Sequence, residues 1–385
     1  MSGIFEALDI EYEKRPNIGV SDIIRGDEIF IPHGLWDKLK TEMSEKDVIG
    51  LISEAIEKYN IPFPYQHISE RNMIQDFRML QHIDCKKLLR KGICSNGRPY
   101  RYNFVNMYIA SSNIGNRASN YFHQVTRHEC GSIYSPSAAD IWRSDRYRRT
   151  YLMSLISLKA EMVNRKKLNE AIRLGGYIAS QFKPSSAKAI YQLFGAKDIL
   201  DFSSGWGDRL CGACATPEVE SYTGIDPNKA LFPGYNNQIK IYGGSKNIKM
   251  INSPAEDAEL GNECYDLVFT SPPYFKIEKY SSGDINSDIN QSWKKYKGID
   301  GWLHLFLFKA LSKSWDSLRW GGFMAINIAD NNQFSICDIM NDYIRGLPGA
   351  IYKGAFGMQM SKRPNVESRG SEVFIEPIWI WRKEK

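Results

Sequence analysis

The stretch DILDFSSGWGDRL, Asp198 to Leu210, decides the fold. A short apolar run closes on Asp201, small residues with Gly205 and Gly207 follow, and a helical pattern begins at Asp208. Glycines between a strand and a helix let backbone amides approach a ligand closely, as in dinucleotide-binding folds. Outward from this stretch, further β-rich runs alternate with helical stretches: ESYTGID (220–226), NIKMIN (247–252), YDLVFT (265–270), GGFMAINIAD (321–330) and SEVFIEPIWIW (371–381). Such alternation predicts a doubly wound α/β sheet.

In such sheets ligands bind beyond the carboxyl ends of the strands. The second run ends at Asp226, about 20 residues after the glycines, where an acidic side chain can accept hydrogen bonds from ribose hydroxyls. The third is followed by Ser253-Pro254-Ala255-Glu256-Asp257, which offers Glu256 and Asp257 at the next strand end; the competing reading for these two is a pair of charges at a helix N-terminus. The fourth run delivers Thr270-Ser271-Pro272-Pro273-Tyr274-Phe275 to the same edge. Alone, Ser-Pro-Pro-Tyr reads as a turn; in register with Gly205, Gly207 and Asp226 it reads as chemistry.

At this point the chain resembles the class I S-adenosylmethionine-dependent methyltransferases that modify exocyclic amino groups, in particular the DNA amino-methyltransferases. Their motif after the fourth strand, Asp/Asn/Ser-Pro-Pro-aromatic, is matched by Ser271-Pro272-Pro273-Tyr274. The resemblance spans roughly residues 177 to 330. It implies a Rossmann-like class I methyltransferase sheet with S-adenosylmethionine held by Phe182, Pro184, Asp201, Ser203, Gly205, Gly207, Asp226, Glu256 and Asp257. For Phe182 plain core packing competes with the cofactor role. Ser271 to Tyr274 are the implied catalytic residues. An exocyclic amine is a poor nucleophile because its lone pair is delocalised into the ring. A Ser271 hydroxyl and a Pro272 carbonyl that each accept one N–H would hold the nitrogen toward tetrahedral geometry, and proline rigidity would fix that carbonyl. Tyr274, with Phe275, would offer a ring on which a flipped base stacks. The chain contains no Pro-Cys dipeptide, the nucleophile pattern of the cytosine-C5 methyltransferases.

The 385 residues, 43% hydrophobic and 24% charged, suffice for a large core and two domains. The expected division is a mostly helical part at 1–170, exemplified by LWDKLKTEMSEKDVIGLISEAIEKYN (35–60) and without convincing strand alternation, and a catalytic part at 171–385. The boundary is expected near Gly175 and Gly176. No basic-then-apolar leader or membrane-length apolar run is evident, so residence in the cytoplasm or nucleoid, away from membranes, is expected. Seven scattered cysteines argue against a disulfide framework. Cys211 and Cys214, in DRLCGACA, read as core thiols, and His123, His128 and Cys130, with Cys85 and Cys94, match no familiar zinc spacing, so no metal is expected.

The net charge of +6 is unevenly spread. Residues 1–80 hold 9 Lys/Arg against 15 Asp/Glu, whereas 81–170 hold 16 against 6. The basic block is interleaved with Tyr100, Tyr102, Phe104, Tyr108, Tyr121, Trp142, Tyr147 and Tyr151, which suits a polyanion whose bases stack. A solvated basic face is the competing reading. Arg146, Arg148 and Arg149 are the expected phosphate contacts, and Trp293, in the long polar loop after the motif, a substrate contact. The function expected is site-specific DNA methylation by base flipping, of the restriction-modification kind, with cytosine N4 slightly ahead of adenine N6. An RNA amino-methyltransferase and an inactive nucleic-acid-binding partner subunit are the alternatives.

Overall fold

The computed structural model describes residues 18–280, 289–360 and 373–385. Within them the β-rich runs assemble into one ten-stranded sheet. Its strands are β1 Leu89–Lys91, β2 Cys94–Ser95, β3 Phe104–Ile109, β4 Asp198–Asp201, β5 Ser221–Ile225, β6 Asn247–Ile251, β7 Tyr265–Thr270, β8 Leu318–Asn327, β9 Ala350–Gln359 and β10 Val373–Lys383. The spatial order is β1-β3-β9-β10-β8-β7-β4-β5-β6, with β2 pairing beside β10.

From β4 the chain winds outward through β5 to β6, each parallel to its neighbour. It then returns to place β7 on the other side of β4 and β8 beyond it, again parallel. The reversal of winding falls between β4 and β7, where an open α/β sheet has its ligand crevice. Strand β10 then runs antiparallel between β8 and β9. This is an open α/β sheet, parallel from β6 through β8 with β10 antiparallel beside it. Ile199, Leu200, Leu267, Val268 and Phe269 are fully buried, as expected of central parallel strands covered on both faces.

The helices follow from their local chemistry. Helix α3, Pro184–Phe194, begins with a proline whose fixed φ suits the first turn and ends at Gly195 in the left-handed region. Helix α4, Asp208–Cys214, is buried at every position, and its N-cap is Gly207. Cys211 and Cys214 are among those buried residues. Helix α5 is Phe232–Tyr242.

The chain forms two compact units, and the expected division near residue 170 is corrected. One unit comprises the described residues up to His67 with Tyr134–Ile178; the other comprises Ile68–Ile133 with Ala179–Lys385. Residues 68–133 thus belong to the α/β unit. Their strand β3 pairs with β9, and β1 pairs with β3, adding strands where the sequence showed none. Their helices, α1 Glu70–His82 and α2 Asn116–His128, meet α5 through rings: Phe77 stacks on Tyr242 at 3.7 Å between centroids, and Phe122 meets Tyr242 edge-on at 5.7 Å. Lys188 of α3 is buried, and its Nζ donates to the carbonyls of Leu80 (2.8 Å) and Gln81 (2.6 Å), satisfying the C-terminal end of α1.

The other unit is built on the helices His33–Glu42, Glu45–Lys58, Ala138–Arg143, Asp145–Leu152 and Arg165–Gly175 around Trp36, Ile49, Ile52, Trp142 and Ile172. Here the expectation for Arg148 is corrected. Its side chain is buried; Nε donates to Ser53 Oγ at 2.7 Å and Nη1 to the Trp142 carbonyl at 2.6 Å. A guanidinium so committed ties two helices together and is not free for phosphate. Arg149 donates through Nε to both oxygens of Asp145, at 2.9 Å each, and Arg146 is exposed.

Candidate cofactor and amine site

The crevice between β4 and β7 is organised by Asp201. Its fully buried carboxylate accepts hydrogen bonds from Arg209 Nε (2.7 Å), the Tyr222 hydroxyl (2.6 Å) and Thr270 Oγ1 (2.8 Å), with the Ser203 amide at 3.3 Å. Arg209 also donates to the Ser203 carbonyl, and its guanidinium lies over the Phe182 ring, 5.2 Å from the centroid. A buried ion pair is tolerable when its remaining hydrogen-bonding capacity is used, as here. Burial works against the Arg209 charge, and the adjoining Asp201 more than offsets it, so the guanidinium is held above its ordinary value. The Asp201 carboxylate is thus committed to internal bonds, and Ser203 joins them through its backbone while its side chain stays half-buried. They shape the turn and, through Thr270, fasten β7 to it.

The turn presents Gly205 and Gly207, both left-handed at φ +59° and +69°. A Cβ on Gly207 would come within 2.5 Å of both His123 Nε2 and Gln238 Oε1, which lie 3.0 Å from each other. Gln238 Nε2 in turn donates to the Gly207 carbonyl at 2.8 Å, and the Tyr235 hydroxyl donates to that of Gly205. Burial pushes the His123 imidazole down to about 4, so it is neutral at pH 7 and serves as a wedge under the loop. Among the described residues no three His, Cys, Asp or Glu side chains converge as a metal site.

Asp226, at the end of β5, closes the loop from the other side. Its Oδ2 accepts the Gly205 amide and its Oδ1 the Asn228 amide, both at 2.9 Å. Burial pushes its carboxyl up to about 6, with the two amide bonds opposing. Past β6, Glu256 and Asp257 separate. Asp257 is exposed and Glu256 buried, and Lys295 Nζ bonds both, at 2.9 Å from Glu256 Oε1. Glu256 Oε2 is buried without a hydrogen-bond partner. Among the described residues no helix lies between β6 and β7, so the helix-terminus reading of these two acids does not hold.

Beyond β7, Ser271, Pro273 and Tyr274 are half-buried and Pro272 buried. The Tyr274 hydroxyl donates to Glu376 on the neighbouring β10, a residue the sequence reading missed. Glu376 carries no motif; only the register, which pairs it with Met358, brings it to this edge. Burial holds its carboxyl above the usual range, with bonds from Tyr274 and Asn327 opposing.

Phe275 does not share Tyr274's role. It is buried, held at φ +51°, and packed edge-on to Phe334 (5.0 Å) and tilted against Trp302 (5.6 Å). The turn after the motif thus drives this ring into the core. Trp293 is half-buried against the same core, and its Nε1 donates to Gln291 Oε1 at 2.9 Å. The long polar loop after the motif contains helical turns at Ser292–Lys295 and Gly298–Trp302, pinned by Trp302 Nε1 donating to Ser292 Oγ at 2.9 Å; residues 281–288 lie outside the described residues. Pro184 is buried at the start of α3, and half-buried Phe182 sets its ring edge-on to Phe269 at 5.7 Å.

No family model and no curated protein matches the chain. Solved structures do match in part. TrmN from Thermus thermophilus is similar over 52% of this chain and 48% of its own, at 15% identity and a TM-score of 0.35. The chain therefore spans about half the length of that protein. The tRNA (m1A58) methyltransferase TrmI from Aquifex aeolicus matches over 54% and 71%, at 15% identity and 0.35. A SAM-dependent O-methyltransferase from Thermotoga maritima matches over 54% and 68%, at 13% identity and 0.35.

Proposed function

We propose that the chain is an S-adenosylmethionine-dependent methyltransferase acting on exocyclic amino groups of nucleic-acid bases, with DNA as the first substrate and cytosine N4 ahead of adenine N6. One observation carries the reading. Ser271-Pro272-Pro273-Tyr274 leaves β7 beside the glycine loop of β4, and the two are fastened together by the Thr270–Asp201 hydrogen bond.

The residues present fit the cofactor. Gly205 leaves the loop open to close approach, Asp226 holds a carboxylate at the next strand end, and Glu256 has a buried oxygen that lacks a donor. Hydroxyl or amino donors of a nucleoside supply what those acids need. When bound, S-adenosylmethionine supplies an electrophilic methyl group. The chain's own contribution is to orient the amine: Ser271 Oγ and the Pro272 carbonyl accept its N–H groups and aim its lone pair, and Tyr274 provides the stacking face. Glu376 holds the Tyr274 hydroxyl and so restricts that ring's tilt.

The test is methyl transfer from labelled cofactor to duplex DNA, single-stranded DNA and RNA, followed by nucleoside mass spectrometry. Ser271→Ala is expected to keep cofactor affinity and to lose on the order of 10² to 10³ in single-turnover rate, the usual cost of one preorganised hydrogen bond. A folded, cofactor-binding Ser271→Ala with full rate refutes the assignment of Ser271. Cofactor binding without transfer to any of the three substrates refutes the enzyme reading in favour of an inactive partner.

A further inference from the structure

Arg148 is withdrawn into a core and Arg149 is bonded to Asp145, which leaves Arg146, of the three expected phosphate contacts, exposed and without an ion pair among the described residues. The α/β unit carries a second basic cluster on the edge of its own sheet. Lys86 and Lys87 lie in the 3₁₀ turn Cys85–Leu88, and Arg90 and Lys91 in the edge strand β1. All four are exposed, and among the described residues none forms an ion pair. The one acid within the segment, Asp84, turns its Oδ1 to the Lys86 amide at 3.1 Å. Tyr108 lies opposite Arg90 in the strand register, and its ring comes so close to Gly92 that a Cβ there would be 3.0 Å away.

Sheet register fixes where this cluster stands relative to the motif. Glu376, which holds Tyr274, pairs with Met358 of β9. Met358 pairs with Ile109 of β3, and Ile109 with Leu89 of β1. Leu89 and Glu376 therefore share one row of the sheet, three strand spacings apart, about 15 Å at ~4.8 Å per step. Residues 86–91 flank Leu89 on both sides. A single-stranded backbone advances roughly 3.4 Å per nucleotide in a stacked helix, so this distance is only a few nucleotides.

We infer that Lys86, Lys87, Arg90 and Lys91 form the phosphate-binding rim of the enzyme, gripping the nucleic-acid backbone a few nucleotides from the base presented to Tyr274. The inference rests on the proposed nucleic-acid substrate. Unpaired cations at that reach complement a polyanion, and Tyr108 adds a ring beside them. Exposed lysines also guard sheet edges against pairing with another chain, and that role makes a different forecast.

The experiment measures binding of a fluorescein-labelled single-stranded oligonucleotide and of duplex DNA by anisotropy at several salt concentrations. The proteins compared are the full chain, Lys86→Gln/Lys87→Gln/Arg90→Gln/Lys91→Gln, and Arg146→Gln/Arg149→Gln as control. Circular dichroism and S-adenosylmethionine calorimetry verify that each is folded and competent. The rim variant is expected to bind at least tenfold more weakly at 100 mM salt, with its log–log salt slope reduced by about 3, near 0.7 to 0.9 per lost phosphate contact. The control is expected to match wild type. Unchanged affinity and slope in a folded rim variant overturn the inference, and newly appearing self-association in that variant would assign the four cations to edge protection. If the wild-type chain binds cofactor but neither nucleic acid, the proposed substrate class fails and the rim with it. If wild type binds and the rim variant binds equally, only the rim fails.

Discussion

Asp226 sits where stability and ligand binding pull against each other. Its carboxyl is pushed up to about 6 by burial, against an ordinary value near 3.9. Between those two pH values the folded chain holds a proton that the unfolded chain has lost. The associated stability is complete below about pH 3.9 and is lost as pH rises through 6. The difference of about two pH units corresponds to roughly 3 kcal/mol against the folded state at pH 7.5. Asp226→Asn removes this charge. The amide oxygen can still accept one backbone N–H, but its NH₂ faces the other, so one of the two 2.9 Å bonds is lost at about 1 to 1.5 kcal/mol. The variant is therefore expected to be about 1 to 2 kcal/mol more stable than wild type at pH 7.5, and about 1 kcal/mol less stable at pH 4.

Binding should move the other way. A charged acceptor for ribose hydroxyls is worth roughly 1.5 to 3 kcal/mol, so Asp226→Asn should bind S-adenosylmethionine about 10- to 100-fold more weakly at pH 7.5. Wild-type affinity should fall about tenfold per pH unit below 6 as the carboxylate is protonated, a dependence the variant should lack. Urea unfolding of the apo protein from pH 4 to 7.5, paired with calorimetric titration, reads both effects. Asp208 is also pushed up to about 6 by burial, so the wild-type stability slope should be reduced in the variant and not abolished. Equal cofactor affinity at pH 7.5, or a stability loss that is the same at every pH, refutes this account of Asp226.

Gly207→Ala should cost about 2 to 5 kcal/mol, combining a left-handed backbone with overlap onto His123 and Gln238, and should weaken cofactor binding as the loop deforms. Denaturant unfolding and calorimetry measure the two losses, and a variant of wild-type stability would mean that the wedge beneath the loop yields. Phe275→Ala should cost about 3 to 5 kcal/mol, because its ring is core against Trp302 and Phe334. Unchanged stability with weakened oligonucleotide binding would return Phe275 to the substrate side.

The legible parts of the sequence were those whose signal is local. Alternating apolar runs, a glycine turn and a proline-rich strand end each lie within a dozen residues, and they suffice for the order of β4 to β8 and for the edge that carries the site. What escaped depends on long-range register. Strand β3, FVNMYI, lacks a clean two-residue alternation because it lies between β1 and β9 with Val105 and Asn106 exposed, so it read as loop. Once β3 joins the sheet, residues 68–133 leave the helical part. The charge bias located a basic region but not which of its cations are free, because composition does not show that Arg148 is consumed by Ser53 and the Trp142 carbonyl. Phe275 was misread for a related reason: the sequence does not show the left-handed turn at Phe275 that accompanies its ring's entry into the core.

The site is held together by side chains that cross from one strand end to the next, more than by any one loop. Thr270 and Tyr222 bring β7 and β5 to the Asp201 carboxylate of β4, Asp226 returns a carboxylate from β5 to the Gly205 amide, and Tyr274 reaches Glu376 on β10. Backbone ladders align the strands but leave the loops beyond them free to splay. These polar links act where the ladders stop. Asp201, Thr270 and Asp226 are each nine-tenths or more buried, so an unmatched partner at any of them leaves a desolvated polar group, at about 1 to 3 kcal/mol or more for a charge. Displacing the Ser-Pro-Pro-Tyr segment from the glycine loop therefore breaks the Thr270–Asp201 bond and the Tyr274–Glu376 bond at its two ends. That double attachment gives a physical reason for two prolines at the end of a buried strand: they keep the three residues between the anchors rigid, so that Ser271 and the Pro272 carbonyl stand where the amine is to be held.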